Sequence, residues 1–143
     1  MATMKQARRG TVWIGKLEHG ADLLDEITAV CREAGIQLGR VQAIGAVQRA
    51  RLACYDQQGK AYEFFDLGEP LEILNLTGNI STKDGQPMVH AHVVLSNGQG
   101  ETFGGHLAAG TVVFAGECIV EELLGLEYVR RHDETTGLPL WDI

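Results

Sequence analysis

The sequence contains few cysteines, and their number and spacing exclude several classes of protein. Only three cysteines occur among 143 residues, and no C-x-x-C pair is present. A disulfide-stapled secreted domain is therefore excluded, and a reducing compartment is expected. Cys31, Cys54 and Cys118 all stand in apolar contexts, which predicts buried structural thiols rather than a catalytic nucleophile.

Basic residues are also scarce, since 12 Lys and Arg are outnumbered by 19 Asp and Glu, for a net charge of −7. Non-specific nucleic-acid affinity comes mainly from clustered Lys and Arg, so a generic phosphate-binding surface is not expected. Short basic groups occur near Arg8, Arg49 and Arg130. A solvated surface explains each of them.

Long apolar segments and several well-known catalytic motifs are missing as well. The residues after Met1 form no apolar h-region, and no run of about 18 consecutive apolar residues occurs. No Gly-rich phosphate loop, G-x-S-x-G elbow or H-E-x-x-H helix is present. We therefore expect a cytoplasmic protein with no membrane partner.

Glycine, in contrast, is plentiful, and 18 glycines indicate many tight turns in a chain that is 45% hydrophobic. One strong helix is predicted from Asp22 to Ala34, because apolar residues recur there at the spacing of a single helical stripe. Asp22 is the expected N-cap and Gly35 the expected C-terminal stop. The apolar stripe should pack on a sheet.

Almost every other segment reads as a strand. Strands are predicted at residues 11–15, 39–48, 50–55, 61–66, 71–77, 88–95, 102–108 and 111–123. Short connections imply an α+β fold, in which a mainly antiparallel β-sheet of about seven strands carries one principal helix packed on it. The length fits a single domain over residues 1–143, with residues 1–8 as a poorly ordered leader.

Three of the five histidines fall within 17 residues, on one predicted hairpin. Side chains alternate faces along a strand, so His90 and His92 project from the same face, roughly 6.6 Å apart along the chain. If the hairpin loop is centred on Gln99, His106 lies directly opposite His92, with Cβ atoms about 5 Å apart. The imidazoles then converge, unless a bulge at Gly104–Gly105 turns His106 to the core.

Converging imidazoles predict a divalent-metal site with His90, His92 and His106 as ligands. Neutral imidazole suits zinc, nickel and iron; zinc is the expected metal, with nickel or iron as alternatives. Three protein ligands leave one position for water, a substrate or a fourth residue. The alternative is a polar strand face that carries three hydrogen-bonded histidines.

Two carboxylates, Glu72 and Glu117, interrupt apolar strands. A charge in such a position needs a partner or access to a cleft. Glu117 is a candidate hydrogen-bond partner for a ligand histidine, or a general base beside the metal. An ion pair with an arginine is the alternative.

Five motifs follow one another along the chain. They are Gly45-Ala46, the segment LEILNLTGNIS at 71–81, Pro87-Met88-Val89-His90-Ala91-His92, Gly104-Gly105-His106-Leu107 and Cys118-Ile119-Val120. Their order resembles that of the plants and prokaryotes conserved (PPC) domain, also known as DUF296. The resemblance covers about residues 8–143 and is to the stand-alone prokaryotic type.

This resemblance implies a compact α+β domain that assembles as a homotrimer, with the three histidines as metal ligands near the subunit boundary. Plant relatives join the domain to an AT-hook, a short Arg-Gly-Arg-Pro segment that enters the minor groove of A·T-rich DNA. The segment Arg8-Arg9-Gly10-Thr11 lacks that core. The DNA-binding label of prokaryotic relatives therefore has no support in these residues.

Three functions remain open at this point. The leading hypothesis is a homotrimer with a divalent metal that binds a small polar or anionic ligand. If it is an enzyme, a hydrolytic or lyase-type step is expected, with Glu117 as candidate base and Arg130 as candidate anion anchor. The alternatives are a DNA-binding or regulatory protein, and a metal that only clips the assembly together.

Overall fold

The structure is a computed structural model that describes residues 2–143. One helix and nine strands follow one another along the chain: β1 Arg8–Leu17, α1 Leu23–Glu33, β2 Gly39–Asp56, β3 Ala61–Leu67, β4 Leu71–Lys83, β5 Gln86–Ser96, β6 Thr102–Leu107, β7 Val112–Leu124, β8 Arg130–His132 and β9 Pro139–Trp141. Seven strands form one sheet, and β8 and β9 form a separate pair. The predicted α+β fold with one principal helix is confirmed.

The main sheet is antiparallel throughout and has the strand order β1-β7-β2-β4-β5-β6. The long strand β2 lies between β7 and β4 through its first half. Its second half pairs with β3 on one side and β6 on the other. Because β2 pairs with both β4 and β6, the sheet curls back on itself and encloses the core.

Strand β2 differs from the sequence prediction, which split it into 39–48 and 50–55. The two segments form one continuous strand, Gly39–Asp56, with shifts in the pairing to β7 on both sides of Val47. These irregularities bend the strand without ending it, so no turn is needed at Arg49. The short pair β8 and β9 was also missed, because three residues are too few to show a period.

Helix α1 begins and ends where the sequence predicts. The Asp22 side chain caps it by accepting hydrogen bonds from the backbone N–H groups of Leu24 and Asp25. Gly35 follows with a φ of +69°, the left-handed conformation that ends many helices. The apolar stripe, which includes Leu23 and Ile27, is buried against β5 and β7.

The cysteine prediction is correct for two residues and wrong for the third. Cys31 and Cys118 are buried in the core, and burial raises the pKa of each thiol to about 11. Cys54 is exposed. Cys54 alternates to the same side of β2 as the core residue Leu52, but it lies beyond the last core residue of that strand and opposite the exposed Glu63.

The N-terminal residues precede the sheet. Met1 lies outside the described residues, 2–7 contain neither helix nor strand, and β1 begins at Arg8. Poor order of the leader stays a prediction. No helix in the described part of the chain is long and apolar enough to cross a membrane.

Candidate metal centre

The β5–β6 hairpin has the register that the sequence predicts. His92 pairs with His106, and the pairing continues without a shift to Ser96 and Thr102. The loop is held by the Asn97 side-chain oxygen, which accepts hydrogen bonds from the backbone N–H groups of Gln99 and Glu101. No bulge occurs at Gly104–Gly105, so His106 stays on the same face as His92.

Alternation along β5 places the histidines outside the core. Val89, Ala91, Val93 and Leu95 are buried on the inner face. His90 and His106 are half-buried, and His92 is exposed. The apolar residues therefore anchor the strand, while the imidazoles project from its outer face toward one another.

The three imidazoles form a compact cluster, with one ligand nitrogen of each within 4.8 Å of the others. The ring centroids lie 5.2, 5.0 and 5.6 Å apart. The Nε2 atoms of His90 and His92 are 3.3 Å apart. Nitrogens bound to one tetrahedral zinc at about 2.0–2.1 Å are separated by about 3.3–3.4 Å, which agrees with this pair.

The protonation of the cluster also fits a metal ion. Burial, together with the charges of His106, Arg130 and His92, lowers the pKa of His90 to about 4. Burial, His92 and Arg130 also lower the pKa of His106. The Nδ1 atom of His106 is buried and has no hydrogen-bond partner within residues 2–143. Neutral imidazoles with an unpartnered nitrogen are suitable ligands for a divalent transition metal.

Arg130 is buried beside the cluster. Its Nε donates to the Ser81 hydroxyl at 2.8 Å, and its terminal nitrogens donate to the Pro139 carbonyl at 2.9 Å and the Asn79 side-chain oxygen at 2.6 Å. Asn79 is the strand partner of His90, which connects this network to the histidines. The structure thus brings Arg130 next to the histidines, and its role as an anion anchor stays a prediction.

Tyr62 is a site residue that the sequence analysis missed. Its ring packs on His106, with the ring centroids 4.7 Å apart. Burial and the nearby Tyr55 raise the pKa of Tyr62, and the charge of Arg130 opposes them. The contact forms because β3 and β6 both pair with the second half of β2. No local pattern in the sequence signals this long-range arrangement.

Glu117 lies apart from the histidines within the chain. It is exposed on β7, where its strand partners are Lys16 and Ile44. Strands β2 and β4 separate β7 from β5, which corresponds to about 14 Å along the sheet at the usual strand spacing. The second interrupting carboxylate, Glu72, is also exposed.

A different acidic residue of β7 forms the arginine ion pair that was considered for Glu117. Glu121 has a 5% exposed side chain and binds both Arg9 and Arg40. Hydrogen bonds from the two guanidinium groups lower the pKa of its carboxyl group. Glu121 therefore stays ionised although it is buried, and it joins β1, β2 and β7.

These features define a class of protein. Its members have a curled antiparallel sheet, one helix, and a cluster of three histidines on the outer face of one hairpin. The sequence profile of the Plants and Prokaryotes Conserved (PCC) domain, abbreviated PPC above, matches residues 4–124. The chain belongs to this family.

Solved structures and longer proteins resemble the chain over most of its length. The metal-containing protein of Archaeoglobus fulgidus is 42% identical, with 98% of this chain and 99% of that one covered and a TM-score of 0.93. The PPC protein of Pyrococcus horikoshii is 32% identical. The match covers 99% of this chain and 98% of that one, with a TM-score of 0.93. The bifunctional protein GlmU of Synechococcus sp. (strain JA-3-3Ab) is 35% identical over 124 residues, 85% of this chain. The chain spans only 19% of that protein's length.

Proposed function

We propose that the protein is a homotrimeric metalloprotein whose three-histidine centre binds a small polar or anionic ligand. The observation that carries this proposal is the convergence of His90, His92 and His106, whose nitrogens lie within 4.8 Å of one another. Zinc is the proposed metal, with nickel or iron as alternatives, because all three accept neutral imidazole. The Archaeoglobus fulgidus relative is a metal-containing protein, which supports the presence of a metal in this chain.

The centre has an open side for a ligand. All three histidines come from two neighbouring strands of one hairpin, so they approach a common point from one direction. A metal held there would act as a Lewis acid toward a group that binds from the other direction. Zinc sites that keep such an open position are typical of catalysis, whereas structural zinc sites have four protein ligands.

The proposed trimer has a suitable surface on the outer side of the sheet. Large apolar side chains are exposed there on β1, β2, β4 and β7. We call five of them the apolar face: Ile14, Ile44, Leu74, Phe114 and Ile119. Exposure reaches 78% for Ile14, which is unfavourable in water unless another surface covers it. A cavity of about 520 Å³ lies along this face.

The apolar face continues directly to the metal centre. A row of paired residues crosses the sheet from Ile14 through Ile119, Gln42 and Thr77 to His92. A subunit boundary formed by this face would therefore adjoin the histidines. Glu117 lines the same cavity, and we propose that it reaches the centre of a neighbouring subunit as the candidate base.

Elemental analysis of untagged protein tests the metal assignment. We expect about one zinc, nickel or iron atom per chain after metal-supplemented expression, and loss of that metal in His92→Ala. The matched control is His132→Ala, which changes an exposed histidine on β8 and should retain the metal. Absence of all three metals from the wild-type protein would refute the proposal.

A crystal structure of the metal-loaded protein separates an open centre from a structural clip. We expect the three histidines to be the only protein ligands, with an exchangeable molecule in the remaining position. A fourth protein ligand that closes a tetrahedral shell would show that the metal serves assembly alone.

A further inference from the structure

The charges around the centre do not balance. Three neutral imidazoles leave the full charge of a divalent metal uncompensated, and Arg130 adds a guanidinium that is only 7% exposed. No acidic side chain among residues 2–143 forms an ion pair with Arg130. Burial of a charge without an opposite charge is costly, so this region favours an anion from outside the chain.

The guanidinium is held in place and retains free donors. A guanidinium has five N–H groups, and three of them are used by Ser81, Pro139 and Asn79. The remaining two belong to the terminal nitrogens. Trp141 packs over the same group, with the Arg130 Cζ 5.7 Å from the ring centroid. A guanidinium fixed in this way is prepared to bind two oxygens of one anion.

Tyr62 offers a further donor next to the histidines. Its ring is held against His106 by the 4.7 Å stacking contact, and its hydroxyl makes no hydrogen bond to any described residue. The Arg130 guanidinium binds the side chain of Asn79, which is the strand partner of His90. A ligand at the metal would therefore have a phenol and a guanidinium within its surroundings.

We propose that the ligand of the centre is an oxyanion, a carboxylate or a phosphate, bound jointly by the metal, Arg130 and the Tyr62 hydroxyl. This inference rests on the proposed function, because it requires a metal at the three histidines. It adds the chemical class of the ligand and names Tyr62 as a specificity-determining residue. A neutral polar ligand would leave the two positive charges uncompensated and should bind less well.

Cobalt-substituted protein tests the inference, because the visible spectrum of cobalt responds to exchange of its ligands. The probes are acetate, inorganic phosphate and, as a neutral analogue of acetate, acetamide. We expect acetate or phosphate to change the spectrum saturably and acetamide to have no effect at the same concentration. Tyr62→Phe should weaken binding of the anion by about tenfold, the value of one hydrogen bond to a charged group.

Matched variants exclude indirect effects. Tyr55→Phe removes a hydroxyl that is bonded to the Thr136 carbonyl and should leave anion affinity unchanged. Arg130→Gln should weaken it by more than about tenfold, whereas Arg131→Gln, which changes an exposed ion pair with Asp142, should not. If Arg130→Gln fails to fold, as thermal melting would reveal, the Tyr62→Phe result decides.

The outcomes distinguish this inference from the proposed function. A normal cobalt spectrum that acetate and phosphate do not change would overturn the inference and leave the metal site intact. Anion binding that is equal in wild type, Tyr62→Phe and Arg130→Gln would also overturn it. Failure of the protein to bind cobalt at all would overturn both the inference and the metal assignment.

Discussion

Burial and mutual proximity lower the pKa values of His90 and His106, and this is the main chemical property of the site. Each protonated imidazole would stand within a few ångströms of two others and near the buried charge of Arg130. A metal ion needs deprotonated nitrogen ligands. The same repulsion that disfavours protons therefore prepares the cluster for a metal over a wide range of pH.

The lowered pKa of His90 predicts how the stability of the metal-free protein depends on pH. The pKa is about 4 in the folded chain, against 6.5 for an ordinary histidine, so between these values the unfolded chain binds a proton that the folded chain does not. The free energy of unfolding should therefore fall as the pH drops from 6.5 to 4, and His106 acts in the same direction.

Urea unfolding of metal-free protein at about pH 7 and about pH 5 measures this effect. His90→Gln should reduce the loss of stability on acidification. His132→Gln changes an exposed histidine and should leave it unchanged. An undiminished loss in His90→Gln would show that other groups cause the pH dependence.

At the scale of single elements, the β5–β6 hairpin and helix α1 follow from short-range rules. The hairpin loop fixes which residues pair, and pairing without a shift carries His106 to His92. The helix is fixed at its start by Asp22, which also accepts a hydrogen bond from the backbone N–H of Gly110. This residue thus attaches the helix to the segment before β7.

We predict that Asp22→Ala lowers the free energy of unfolding by about 1–2 kcal/mol, because it removes the helix cap and the bond to Gly110. Urea unfolding measures the change. Asp25→Ala alters an exposed acidic residue of the first turn and should cost less than about 1 kcal/mol. Equal losses in the two variants would contradict a special role of the cap.

At the scale of the whole molecule, the curled sheet buries one side of its strands and leaves the apolar face open. This face spans four strands that lie far apart in the sequence. Its side chains alternate with the core residues of the same strands, as in the pair Ile119 and Val120. Both sides of the strands are consequently apolar, which a monomer in water does not require.

We predict that disruption of one residue of the apolar face dissociates the proposed trimer, which the family resemblance implies. Light scattering on a sizing column should give roughly three times 15.5 kDa for the wild type. Ile44→Lys, in the middle of the face, should shift the mass toward 15.5 kDa. Leu140→Lys changes an apolar residue of β9 that is 40% exposed and should not. A wild-type monomer at micromolar concentration would contradict the trimer.

The overall charge predicts weak binding to DNA at most. With a net charge of −7, we expect gel shifts with A·T-rich duplex at physiological salt to show no affinity tighter than about 10⁻⁶ M. An unrelated duplex of the same length should give the same result. A nanomolar and sequence-selective shift would favour the DNA-binding alternative.

Local periodicity was sufficient to predict the helix, most strands and the histidine cluster. Alternation in His90-Ala91-His92 and the glycine-rich loop determine the face and the register, since both depend on residues close together in the chain. The same reasoning placed Cys54 in the core, because an apolar neighbourhood does not reveal where along a strand the core ends.

Only the tertiary structure decided which distant residues complete the site. Tyr62 and Arg130 reach the histidines from β3 and β8. Glu117 interrupts an apolar strand, as a catalytic residue would, but it lies three strands from His92. The positions of Tyr62 and Glu117 follow from the pairing of β2 with four other strands, and that of Arg130 follows from its contacts with β4. Such pairings join residues far apart in the chain and are selected by burial of the whole core, so no local pattern in the sequence determines them.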